Sequence, residues 1–299
     1  MRTMLVVNPA SGLGAGGKAA DGVAATLRAA VERLDVHVAT DAEETLAAAS
    51  RAVEQGYDVL AVLGGDGTVH LALQPCAQSR TALAVIPAGT GNDLAACLGL
   101  PADPQSAASA VAAALDAGST RELDLGRVRG GRWFATVLCA GFDSMVNERA
   151  NRMRWPAGPR RYNLAIFAEL ATLRAYPLTI ETEDGRQDVQ ATMISVGNTA
   201  SYGGGLKICR DAELDDGLFD VTVVGPVTRR RLVRIFPTLR EGGHIGEPEV
   251  GTLRAREVRI SGENGWVAYA DGDPQGPLPM AVECVPAAIR VVTPGPANI

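Results

Sequence analysis

"VLAVLGGDGTVHLALQP", residues 59–75, runs five apolar residues into Gly64-Gly65-Asp66-Gly67-Thr68 and then resumes an apolar stretch. An aliphatic run ended by glycine reads as a buried strand, and 67–75 reads as a helix directly after it. Three glycines surround one carboxylate at the turn. In open α/β sheets, ligands bind beyond the carboxyl ends of the strands, where backbone N–H groups and helix N-termini face outward. The helix dipole favours a carboxylate there, yet that carboxylate would compete with a phosphate. A Mg²⁺ ion between Asp66 and the phosphate, held by oxygen ligands and water, removes the competition.

The surrounding sequence supplies a sheet for this strand. "TMLVVN" (3–8) reads as a first strand and 18–34 as a helix with apolar positions at Val23, Leu27, Ala30, Val31 and Leu34. "DVHVAT" (35–40) is a second strand, and 42–55 a helix that Thr40 or Asp41 would cap. "YDVLAVLG" (57–64) is the third strand, "ALAVIP" (82–87) the fourth, and 105–117 a further Ala-rich helix. This alternation implies βαβ units and a parallel sheet. Beyond residue 121 the texture changes. "ELDLGRVRGGRWFATVLCAGF" (122–142) reads as a hairpin around Gly130-Gly131. After a helical region near 160–174, "LTIETEDGRQDVQATMISVGN" (178–198) reads as a second hairpin with Asp184-Gly185 at its turn. Short strands follow in "GLFDVTVVG", "AREVRISG", "WVAYADGD" and "AAIRVVTP". The expected fold is an α/β N-terminal domain over 1–121 and a β-rich, sandwich-like C-terminal domain over 122–299. The last strand is free to return to the first domain.

Bulk properties narrow the function classes. The chain has 299 residues, 46% hydrophobic, with a net charge of −6, which gives no electrostatic case for nucleic acid. Five scattered cysteines form no C-x-x-C pair and read as reduced thiols of a cytoplasmic protein. His37, His70 and His244 are too dispersed to suggest zinc. No signal peptide or membrane-spanning run is evident. Contact with a membrane surface stays open, and so does a homodimer, because nothing in the sequence reads out oligomeric state.

Three glycine-bearing loops leave strands in the first domain: "NPASGLGAGGK" (8–18), "GGDGT" (64–68) and "PAGTGND" (87–93). Together they suggest a polyphosphate site, since glycine lets several amides approach phosphate oxygens. The first loop holds two decoys. Gly12, Gly14 and Gly17 fit G-x-G-x-x-G, but "NPAS" separates them from the strand. Gly12 through Lys18 fit the P-loop spacing, but Ala19 stands where Ser or Thr should hold Mg²⁺. Thr68 adds a hydroxyl, and Asn92-Asp93 bring a second polar pair from the next strand exit. Two carboxylates, flexible loops and one metal suit phosphoryl transfer.

"GGDGT", "PAGTGNDLA" (87–95) and "NPASG" (8–12) resemble the catalytic domain of diacylglycerol kinases and related bacterial lipid kinases. The likeness continues through "NTASYGGGLKICRDAELDDGLFDV" (198–221) and "ADGDPQGPLP" (270–279), in the same order along the chain. It implies an NAD kinase/diacylglycerol kinase-like two-domain fold, ATP as donor and a lipid hydroxyl, most simply that of diacylglycerol, as acceptor. By this resemblance Asn8, Ser11 and Gly12 would hold phosphates, while Thr40, Gly64, Gly65, Asp66, Gly67, Thr68 and Thr90 would line the nucleotide site. Asp66 and Asp93 would organise a catalytic Mg²⁺ through its waters. A structural Mg²⁺ would sit on the carbonyls of Glu213 and Leu218 and the carboxylate of Asp216. The family usually has Asp-Gly-Glu where this chain has Asp271-Gly272-Asp273, so Asp273 becomes the candidate general base, one methylene shorter. Asp271 is the fallback. Other acceptors stay open: a sphingoid base, another lipid alcohol, or NAD through the shared GGDGT loop. A Rossmann oxidoreductase would rest on Gly12, Gly14 and Gly17 and show nicotinamide binding. A non-catalytic binding protein would keep the loops without turnover.

A lipid kinase without a membrane span must meet its substrate at a bilayer surface. "RANRMRWPAGPRRY" (149–162) holds Arg149, Arg152, Arg154, Arg160 and Arg161 with Trp155 and Tyr162, and "TRRRLVRIFPTLR" (228–240) is a second basic cluster with Phe236. Basic residues beside aromatics suit an anionic interface. The expected location is cytoplasmic, peripheral at the inner membrane face.

Overall fold

The computed structural model describes residues 1–153, 155, 159–262 and 265–294. The chain forms two compact units: 1–125 with 203–205 and the stretch from Pro286 onward, and 126–202 with 206–285.

In the first unit the elements are β1 (Arg2–Val7), α1 (Ser11–Ala30), β2 (Arg33–Val38), α2 (Ala42–Glu54), β3 (Val59–Gly64), α3 (Asp66–Cys76), β4 (Ala82–Pro87), α4 (Asp93–Cys97), α5 (Pro104–Asp116) and β5 (Thr120–Val128), the last of which runs on into the second unit. The strands order as β2-β1-β3-β4, all parallel, with Val7 opposite Leu63 and Gly64 opposite Pro87. Every residue of β3 and β4 is buried, as a parallel sheet covered on both faces requires. Asp41 caps α2 by accepting the Glu44 N–H, and Asp103 caps α5 ahead of Pro104.

The helix expected over 18–34 ends early. α1 is interrupted by left-handed residues at Gly12, Leu13 and Gly14 and then runs to Ala30; Val31 is extended, and Leu34 pairs with Thr3 inside β2. Ladder bonds to β1 outweigh the helical spacing of Val31 and Leu34, because the apolar face of α1 is already closed by Val23 and Leu27, both fully buried.

The second unit contains β6 (Trp133–Phe134), β7 (Val137–Gly141), α6 (Phe142–Arg152), α7 (Pro159–Ala171), β8 (Tyr176–Thr182), β9 (Gly185–Ala191), β10 (Met193–Gly197), β11 (Phe219–Val224), α8 (Arg229–Ile235), β12 (Val250–Ala255), β13 (Glu257–Ser261), β14 (Val267–Ala270), β15 (Asp273–Pro277) and most of the first half of β16 (Met280–Val292). A six-stranded antiparallel sheet runs β12-β11-β10-β7-β14-β15. A second layer has the β8-β9 hairpin, β13 and β16, with β6 on β5. Leu138, Ala140, Ile194, Val196 and Val221 of the first layer share a core with Leu178, Ile180, Val258, Ile260 and Val282 of the second. Phe134 and Phe219 stack within it at 5.7 Å. Alternate residues of the six-stranded sheet, Val137, Met193 and Val224, face a separate cluster with α6, α7 and α8. This period of two makes a sandwich with helices on one outer face.

β16 leaves this unit at Val285 and ends in the first, where Val291 pairs in parallel with Leu83 of β4. The buried carboxylate of Asp124 accepts the Ala287 N–H at 2.8 Å where the strand enters.

Candidate active site

Parallel pairing puts the carboxyl ends of β1, β3 and β4 on one edge, and the ladder continues into the loops. Asn8 N–H donates to the Leu63 carbonyl, and Ala88 N–H to the Gly64 carbonyl. The Asn8 amide then ties two loops: it donates to the Thr68 hydroxyl at 3.0 Å and accepts the Ala10 N–H at 3.0 Å. Gly12, Leu13 and Gly14 are left-handed in succession, and Leu13 is 97% exposed. A Cβ on Gly12 would lie 2.2 Å from the Ala88 carbonyl oxygen, so only glycine lets the first loop pass over the third. A non-glycine residue in that conformation marks a loop under strain, which clusters where ligands are clamped.

Asp66 binds main chain with both oxygens: Oδ2 accepts the Asn92 N–H at 2.7 Å and Oδ1 the Asp93 N–H at 2.6 Å. It thereby caps α4 from a different segment, meeting donors that helix starts leave open. The Asn92 amide closes the turn on Gly89, accepting its N–H at 2.8 Å and donating to its carbonyl at 3.0 Å. Asp93 turns the other way and accepts the N–H groups of Gly203 and Gly204 at 2.7 and 2.8 Å. A Cβ on Gly91 would stand 2.5 Å from one Asp66 oxygen and 3.7 Å from one Asp93 oxygen, so the two carboxylates border one point.

These donors fit a hydrated divalent cation. The oxygens are hard ligands, and a carboxylate with two oxygens and about four lone-pair sites can still accept metal-bound water after taking one or two amides. Ser11 lies at the start of α1, with its N–H on the Asn8 carbonyl, and Thr90 is exposed on the third loop. Thr40 follows β2 at the same sheet edge, but its hydroxyl and N–H both donate to Glu44 at 2.9 and 2.8 Å. Of the residues named from sequence, hydrogen bonds link Ser11 to Asn8, Asn8 to Thr68 and Asp66 to Asp93, Gly12 passes close over Ala88, and Thr40 stays outside this network.

Comparison with known proteins identifies the family. A model of the diacylglycerol kinase catalytic domain matches residues 2–128, and one of the YegS C-terminal NAD kinase beta sandwich-like domain matches 136–293. A diacylglycerol kinase of Mycobacterium tuberculosis is 44% identical over 297 residues, 97% of this chain and 94% of the relative. The chain belongs to the diacylglycerol kinase family. A diacylglycerol kinase of Staphylococcus saprophyticus is 29% identical over 98% of this chain and 95% of its own. The crystal structure of a diacylglycerol kinase from Bacillus anthracis shares the fold, with a TM-score of 0.77 at 20% identity over 100% of this chain and 98% of that one. The chain is therefore a lipid kinase, and a kinase family implies ATP as co-substrate.

Asp273 belongs to the second unit, where it opens β15 opposite Ala270 and is half-buried. Asp271 is engaged with main chain instead. Its carboxylate accepts the Ala135 and Thr136 N–H groups, each at 2.9 Å, and the Thr136 hydroxyl at 2.6 Å. Three donors anchor it at the turn before β15. Asp216 accepts the Leu218 N–H at 3.0 Å and pairs with Arg254. In the set expected from sequence, Glu213 and Leu218 would supply carbonyls and Asp216 a carboxylate that here pairs with Arg254.

The basic stretches are partly neutralised by acids that their own sequence windows do not contain. Arg149 pairs with the buried Glu169, Arg152 with Glu148, and Arg231 with Glu247 and Glu249. Arg154 and the side chains of Arg160 and Tyr162 lie outside the described residues. Apolar side chains are exposed in the same region, Trp155 at 82%, Phe167 at 69% and Val233 at 57%, with Leu164 and Phe236, and Arg229, Arg230 and Arg234 are exposed beside them. Arg229 donates to the Ala171 carbonyl and so joins the start of α8 to the end of α7.

Gly203 and Gly204 are site residues that sequence reasoning did not single out. They act through backbone N–H groups and reach Asp93 across 110 residues of chain. The triple glycine of "SYGGGL" was the available signal.

Proposed function

We propose that this chain transfers the γ-phosphoryl group of ATP to the free hydroxyl of diacylglycerol, giving phosphatidic acid and ADP, with Mg²⁺ as the metal. The supporting observation is the convergence of Asp66 and Asp93 around Gly91 beside the left-handed first loop. In this reading Asn8, Ser11 and Gly12 hold phosphates through the loop, and Gly64 to Thr68 with Thr90 and Thr40 line the nucleotide. Asp66 and Asp93 orient the waters of the metal, which when bound neutralises charge on the transferring group. Asp273 accepts the lipid hydroxyl proton as the lipid oxygen bonds to the γ-phosphorus and the bond to the ADP oxygen breaks. A water between Asp273 and that hydroxyl would compensate for the missing methylene.

The acceptor is taken from a membrane surface. The exposed Leu164 and Phe167, one helical turn apart, and Val233 and Phe236, likewise spaced, enter the interface, with Arg229, Arg230 and Arg234 facing anionic headgroups.

The test incubates purified protein with γ-labelled ATP, Mg²⁺ and a total lipid extract in mixed micelles, with Asp66→Ala as the blank. Label in phosphatidic acid, absent with the variant, is the expected result. Label in another lipid would replace the acceptor, and label in NADP in a parallel incubation with NAD added would move the reaction to NAD.

A further inference from the structure

A single short loop, Tyr202 to Leu206, carries the two amides that fix Asp93 and begins at a residue that bonds the half-buried carboxylate of Asp143. In the second unit, the Tyr202 hydroxyl donates to Asp143 Oδ2. Asp143 sits in the first turn of α6. Burial pushes the Asp143 carboxyl up and the Tyr202 phenol well above its ordinary value, so the phenol keeps the proton it donates. Tyr202 and Leu206 pair through both backbone bonds, at 3.1 and 2.9 Å, closing the loop. Between them Gly203, Gly204 and Gly205 all have positive φ, at 58°, 80° and 92°. Consecutive amides in that conformation point one way and form a nest for an anion. The anion here is the Asp93 carboxylate, which takes one amide on each oxygen.

A run of three glycines loses more backbone freedom on ordering than any other tripeptide. Nothing lies within 4 Å of a Cβ built on Gly204 or Gly205, so side-chain packing around these two glycines does not hold the loop. Its order comes from its ends. We infer that the hydrogen bond from Tyr202 to Asp143 is a positioning device for Asp93, fixing the loop whose next two amides hold that carboxylate. Tyr202 and Asp143 are thus positioning residues for phosphoryl transfer that the sequence motifs do not mark. The inference rests on the reading that Asp93 organises the metal.

Two readouts separate the anchor from that reading. The first is amide hydrogen exchange at Gly203 and Gly204 by NMR, in the full chain without nucleotide or metal. Tyr202→Phe removes one oxygen and should accelerate exchange at both amides about tenfold. Asp143→Ala should do the same, and the double variant should add nothing, as expected for two halves of one bond. Asp143→Asn keeps an oxygen acceptor and should retain slow exchange. The second readout is turnover: Tyr202→Phe should lower kcat about tenfold and raise the Mg²⁺ concentration for half-maximal rate, with the KM for lipid unchanged. Unchanged exchange in Tyr202→Phe overturns the anchor whatever the kinetics. Faster exchange with unchanged kcat and Mg²⁺ dependence overturns the positioning role, while Asp93→Asn, read by the same Mg²⁺ titration, tests Asp93 as metal organiser on its own. If Asp143→Ala fails to fold, Tyr202→Phe decides alone.

Discussion

The carboxylate of Asp66 accepts the backbone N–H of Asp93 at 2.6 Å, so the two acids at the candidate metal site are wired together through main chain. Substituting either one therefore perturbs both chemistry and local structure, and the substitutions must be chosen to separate the two.

Asp66→Asn keeps one oxygen for the α4 amides while removing the charge. We expect kcat to fall about 10²- to 10³-fold, the scale of losing one electrostatic contact to the transition state. Asp66→Ala would in addition strand two amides at about 1–3 kcal/mol each. Chemical denaturation beside turnover distinguishes the variants: if Asp66→Asn turns over normally, the carboxylate is a cap only.

Gly91→Ala puts a methyl 2.5 Å from Asp66 Oδ2. Overpacking of this kind costs about 1–3 kcal/mol. The Mg²⁺ concentration for half-maximal rate should rise several-fold, measured by titrating the metal at saturating ATP. An unchanged titration would detach Gly91 from the metal site.

Asp273→Asn should abolish lipid phosphorylation by about 10²- to 10⁴-fold with ATP affinity unchanged, whereas Asp273→Glu should stay active. Equilibrium ATP binding and labelled-lipid assays on the same preparation check both. Full activity in Asp273→Asn would move the base elsewhere.

For membrane contact, Phe167→Glu with Val233→Glu should weaken sedimentation with anionic vesicles at least tenfold, since each loses apolar insertion and gains repulsion. Rates on short-chain diacylglycerol in solution should be retained. Equal sedimentation of variant and parent would remove this face from the proposal.

The buried His244, whose Nε2 lies 3.0 Å from the Ile208 carbonyl, titrates below 6.5 because burial disfavours its charged form. Between that lowered value and 6.5 the unfolded chain binds more protons than the folded one, so stability rises with pH in this window and is lost as pH falls below 6.5. His244→Gln should flatten that part of the curve in urea unfolding followed against pH.

Fold class was legible because β3 and β4 are short apolar runs cut off by glycine, and because Gly130-Gly131 and Asp184-Gly185 name their hairpins. The end of α1 was not, since Val31 and Leu34 satisfy helical spacing and strand alternation alike, and only pairing with Thr3 decides. The site was legible where side chains act, at Asp66 and Asp93. It was illegible where amides act, at Gly203 and Gly204, because an N–H has no letter of its own. The pairing within the arginine clusters was illegible for a related reason: Glu169, Glu247 and Glu249 reach into them from other segments.

The return of β16 to β4 carries a consequence for biosynthesis. The first 125 residues emerge from the ribosome early, yet the sheet they form lacks the strand that flanks β4 until Val291 has been added. At 5–20 residues per second that interval is on the order of ten to thirty seconds. During it the fully buried β4 exposes an unpaired edge, which is where a nascent chain is open to wrong partners and to holding by chaperones. A stop codon just before Val291 would therefore leave the unit that is made first without the strand that flanks β4.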